Sequence, residues 1–148
     1  MVFERGLALI ISMQLVLYCF LIGSIYMLLI SLSLDYLGKK LNLYKGIPPV
    51  ILEESGVSWF IIYYLMEFLF FVVIPTIGYS FFYLILPFAG IKAGMAIALF
   101  AFILGAVPVI MGLSIRIKLP VTYLLYFLFG YLIKLGGAMI IIGYLYTL

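Results

Sequence analysis

Two charged side chains stand where so apolar a sequence should carry none. Glu67 is the single formal charge between Val57 and Leu86, and Lys134 is the single charge between Pro120 and the chain end. An ionised group at the centre of a membrane helix costs about 2.5–3.5 kcal/mol on insertion scales, so each needs a partner or water. Three chemistries fit. The two groups can neutralise each other as a buried charge pair. Glu67 can instead bind a cation or exchange protons in a cavity, tuned by Lys134. Either can also meet an opposite charge on another subunit. Glu67 and Lys134 are therefore the candidates for an ion-binding site or a buried charge pair, with Gln14, Tyr18, Tyr63 and Tyr64 as candidate polar lining.

The inventory excludes more than it offers. The chain has no histidine and one cysteine, Cys19. Haem held by axial histidine, a histidine-ligated zinc or copper site, and Ser–His or Cys–His catalysis all lack their residues. A carboxylate dyad needs two buried acids, and only Glu67 lies within an apolar stretch. The serines leave only an unusual Ser–Lys pairing, and no Gly-rich phosphate loop occurs. No catalytic residue, metal or cofactor is expected. Cys19 reads as a small hydrophobe, a role free cysteines commonly fill.

The elements that must hold these groups are membrane spans. Of 148 residues, 69% are hydrophobic and 9% charged, too few polar groups to cover a soluble domain of this size. The net charge of +3 comes from scattered Lys and Arg, so nucleic acid is not an expected partner. About twenty apolar residues cross a hydrocarbon layer of roughly 30 Å. On that measure the sequence predicts an all-α, polytopic integral membrane protein: four transmembrane helices in a compact bundle, one domain over residues 1–148. The spans fall at about 7–34, 57–86, 93–114 and 120–147, with a polar connector at 35–56. The 29 uncharged residues between Arg5 and Asp35 exceed a signal-peptide core, so the first span is expected to be retained.

Within the first span, Gln14, Tyr18, Leu21 and Ile25 form one helical stripe, while Ser12, Cys19 and Gly23 share a smaller-residue face. In the connector, Asp35–Tyr44 either extends the first helix or lies along the surface. Gly46 and Pro48-Pro49 interrupt it, 49–55 is a short-helix candidate, and Ser58 is the expected N-cap of the second span. Lys39, Lys40 and Lys45 suit either plain solvent or anionic headgroups. Pro75 and Gly78 predict a kink in the aromatic-rich second span.

The third span carries Gly94, Ala98, Ala101, Gly105, Pro108 and Gly112 at alternating spacings of four and three. Such a small-residue seam lets a neighbouring helix approach closely. It predicts the most buried helix of the bundle, or an oligomer face. The Gly90–Gly94 pair, with Lys92 between, is the weaker signal. In the fourth span, Gly130, Lys134 and Gly137 share a stripe, so the lysine should face protein.

Nominal depths leave a gap: Glu67 lies about 12 Å along the helix from Trp59 and Lys134 about 21 Å from Pro120. Tilt and the long lysine must recover about 9 Å for contact. Five basic residues in loops 35–56 and 115–119, against Arg5 and Lys92 on the other side, place those loops in the cytoplasm and both termini outside, in a prokaryotic plasma membrane. The functional expectation is a non-catalytic membrane subunit or self-associating packing protein, with lipid and partner subunits or its own copies as contacts. The alternative is a small proton- or cation-coupled transporter centred on Glu67.

Overall fold

A computed structural model describes the backbone of residues 2–47, 56–83 and 85–148, and side chains in these ranges from Met13 onward. The described residues are helical with no strand, and four helices are long and apolar enough to cross a membrane. They are Val2–Lys40, Val57–Phe82, Gly90–Arg116 and Val121–Leu145. The all-α, four-span expectation stands. The short helix expected over 49–55, and the side chain of Ser12, lie outside the described residues.

The first helix continues past the expected residue 34 to Lys40. Its last turns carry an Asp35–Lys39 pair at 2.6 Å, one turn apart and exposed, a spacing that supports helix in water. Asn42 then takes left-handed φ of 52°, and a 3₁₀ turn, Leu43–Gly46, folds back over the bundle. The second helix begins earlier than the expected cap at Ser58. Extended Gly56 fills that place, without a side-chain bond.

Both prolines inside the spans follow a wide turn. Leu69–Val73 and Phe102–Ala106 are single π turns, and Pro75 and Pro108 come two residues after them. A proline inside a helix lacks its N–H and clashes with the carbonyl four residues back. Widening the preceding turn relieves that clash, so the kink expected at Pro75 takes the form of a π turn.

The small-residue seam of the third helix is divided. Gly94 and Ala98 are buried, whereas Ala101, Gly105, Pro108 and Gly112 face outward. Inward positions instead recur every fourth residue: Gly90, Gly94, Ala98, then Ala106 and Ile110. An every-fourth row drifts on a regular helix, but the π turn absorbs an extra residue and keeps the row facing its neighbour. The weaker Gly90–Gly94 pair makes the tightest contact. A Cβ on Gly94 would lie 2.1 Å from the Met139 carbonyl oxygen, and one on Gly143 would lie 2.4 Å from that of Gly90.

The fourth helix is the enclosed one, with no exposed residue from Gly130 to Gly143. It replaces the third as the bundle's centre. The first helix buries an every-fourth row of its own, Cys19, Gly23, Met27 and Ser31, with Gly23 against Val72 of the second helix, and it reaches the fourth helix through Tyr26 and Leu34.

Candidate functional site

The buried row on the first helix ends at Ser31, Glu67 is a buried residue of the second helix, and Lys134 follows Gly130 by one turn on the fourth. These three side chains converge. Lys134 Nζ forms a salt bridge with Glu67 Oε1, and Ser31 Oγ donates to Glu67 Oε2 at 2.8 Å. The side chains of Lys134 and Glu67 are each 9% exposed, so both charges are shielded from lipid. Tyr63, one turn before Glu67, turns its ring toward the ammonium, 5.4 Å from Nζ to the centroid. That distance gives a cation–π contact in addition to the ion pair.

The apparent depth gap closes for two reasons. Counted from the observed helix starts at Val57 and Val121, Glu67 lies about 15 Å and Lys134 about 20 Å along the axes. The four-carbon lysine stem covers the difference. Ser31, nine residues before Lys40 on the antiparallel first helix, comes out about 14 Å from the same end.

Toward the terminal face, the pair rests on a dry layer of Met27, Val72 and Ala138 at 0% exposure and Leu135 at 5%. Tyr26 passes through this layer with its hydroxyl engaged, donating to the Ile133 carbonyl at 2.7 Å. Toward the connector face the surroundings are phenolic. Tyr126 donates to the Leu34 carbonyl, and the Tyr44 ring packs edge-on against Tyr123 with centroids 6.1 Å apart.

The remaining sequence candidates scatter. Tyr64 bonds instead to Ser24: its hydroxyl donates to the Ser24 carbonyl at 2.9 Å and lies 2.9 Å from the Ser24 hydroxyl. Gln14 and Tyr18 lie on the exposed side of the first helix, so they do not line the pair. Their stripe is the outer one because Cys19, Gly23, Met27 and Ser31 occupy the inner. Ser31, missed as a site residue, had a signal in the sequence: it continues the Cys19–Gly23 face in steps of four. Among the described residues no three His, Cys, Asp or Glu side chains gather as a metal site.

An open apolar groove of about 620 Å³ runs along the outer face of the third helix, lined by Phe88, Ala96, Phe100, Ala101 and Gly105 among others. No family model matches this chain, and no curated protein and no solved structure matches it significantly.

Proposed function

We propose that this protein is a non-catalytic integral membrane subunit that packs laterally against partner chains or its own copies. The observation that carries the reading is the closure of its charges within one chain. Glu67 is bonded to both Lys134 and Ser31, and all three are buried. A buried ion pair is weak evidence for stability but can fix how helices dock; here it ties the first, second and fourth. Ser31 donates to the same carboxylate that pairs with Lys134, so its hydroxyl helps hold Glu67 in place between the helices. Ala101 and Gly105 face outward in the groove, with Gly112 outward further along the same helix, and small residues allow close approach of a second helix in lipid.

Purification in mild detergent, with a cysteine at Gly105 in a Cys19→Ala background, tests the reading. Disulfide-linked copies or a stoichiometric co-purifying chain are expected. A strictly monomeric species without a partner would overturn it. The finer placement that fits this role has loops 35–56 and 115–119 in the cytoplasm of a prokaryotic cell and both termini outside, following the basic residues.

A second reading keeps Glu67 as the carboxylate of a proton- or cation-coupled transporter. It is favoured by one observation, a buried acid held by an ammonium and a hydroxyl with a tyrosine ring alongside. Reconstituted protein should then show a flux that Glu67→Gln abolishes; unchanged flux removes the idea.

A further inference from the structure

The polar groups around the Glu67–Lys134 pair are distributed unequally between the two faces of the bundle. On the terminal side, the layer of Met27, Val72, Leu135 and Ala138 is crossed by one hydroxyl, that of Tyr26, whose proton is already given to the Ile133 carbonyl, and Met139 (1% exposed) continues it. The next polar group on the second helix in that direction is Thr76, nine residues beyond Glu67 and fully buried. On the connector side, tyrosines lie between the pair and the surface. Tyr63 borders the ammonium, and nearer the connector Tyr123 packs against the Tyr44 ring. Tyr126 opens onto the Leu34 carbonyl, and its hydroxyl and that of Tyr44 converge on Gly38.

The outer end of this series is covered by the turn after the first helix. Left-handed Asn42 redirects the chain, Tyr44 lies over Tyr123, and Ile47 is 6% exposed. Gly46 abuts Pro120, where a Cβ would come within 2.7 Å of the ring. A glycine at position 38 leaves room for the Tyr44 hydroxyl, which would otherwise meet a Cβ at 2.9 Å.

We propose that water, and with it protons, reaches the Glu67–Lys134 pair from the connector face alone, along the hydroxyls of Tyr63, Tyr123, Tyr126 and Tyr44, with the Tyr44 turn as the cover. Phenols bond water with one edge and pack against apolar neighbours with the ring, whereas a layer of methionine, valine, leucine and alanine stays dry. The Glu67 carboxylate at the inner end of this route ties the second helix to the fourth through Lys134. The groups facing that carboxylate are Lys134 from the fourth helix, Tyr63 from its own and Ser31 from the first. The charges of the third helix, Lys92 and Arg116, lie at its ends. The inference holds whether or not the chain self-associates.

Radiolytic hydroxyl-radical labelling of the whole chain in lipid nanodiscs tests it, because radicals formed in place mark only side chains beside water. Tyr63 and Tyr123 should be labelled several-fold above Met27 and Met139, although methionine oxidises readily. Tyr44→Ala should raise labelling of Tyr63 further, and Tyr18→Ala, on the outer face, should not. Label at Met27 or Met139 equal to that at Tyr63 would overturn the proposal. So would a Tyr63 unlabelled in both the natural chain and Tyr44→Ala, or a Tyr63 response to Tyr18→Ala matching that to Tyr44→Ala. If Tyr44→Ala does not fold, the ratio in the natural chain decides alone.

Discussion

Removing one member of the buried pair should cost far more than removing both. Lys134→Met leaves Glu67 with only Ser31, inside a bundle where the carboxylate side chain is 9% exposed. Glu67→Gln leaves an ammonium with a neutral amide. Breaking a buried pair by one partner costs about 3–5 kcal/mol, because the surviving charge is desolvated and unmatched. Unfolding in mixed micelles keeps the helices in an apolar solvent, where the denatured chain also finds polar partners. The low end, about 3 kcal/mol, is therefore expected for each single change. The double variant Glu67→Gln/Lys134→Met carries no stranded charge and should lose less than either single one. The assay is reversible unfolding in detergent read by circular dichroism, with the four variants forming a thermodynamic cycle. The Asp35–Lys39 pair is the internal control. Its side chains are 48% and 62% exposed, and such a pair contributes only about 0.3–0.5 kcal/mol, so Lys39→Met should be nearly silent. Single losses below about 1 kcal/mol, or losses that simply add in the double variant, would refute the reasoning.

Three further outcomes follow from the same contacts. Ser31→Ala should lower stability by about 0.6–1.7 kcal/mol in the same assay, the range for a hydrogen bond between membrane helices. Gly94→Ala should cost about 1–3 kcal/mol or more, since its Cβ would meet the Met139 backbone. Gly137→Ala should cost less, because it meets the movable end of Tyr26, and Gly105→Ala, facing open space, should leave the unfolding curve unchanged. Tyr44, outside the spans, has its phenol pushed above the usual value of 10.0 by burial and then by the Asp35 charge. The protonated phenol is thus favoured in the folded chain. Its stabilising contribution is complete below pH 10 and is lost as pH rises through the folded value. In an absorbance titration at alkaline pH, Tyr44→Phe should remove one late-ionising tyrosine from the natural chain's curve.

Span number and helical class were legible because hydrocarbon leaves a backbone no other way to bond its polar groups. The same constraint made Glu67 and Lys134 stand out as isolated charges, and the Gly130–Lys134–Gly137 stripe placed the lysine toward protein. The proline at 75 signalled a disturbance of the helix. Its form, a wide turn that adds a residue, was not readable, because regular and widened helices satisfy the same local sequence.

That widening is why the third helix was misread: a seam drawn at a 3.5 period joins Gly94 to Gly112, whereas the folded row steps by four through Phe102–Ala106. The weak Gly90–Gly94 signal gained its importance from Met139 and Gly143, which lie far away along the chain. Gln14 and Tyr18 were equally undecidable, since either stripe of the first helix could have faced inward. Composition thus determined the solvent, the span count and which charges needed company. Only the packed bundle decided who kept that company, because helix rotation depends on contacts between distant segments, which no single stretch of sequence encodes.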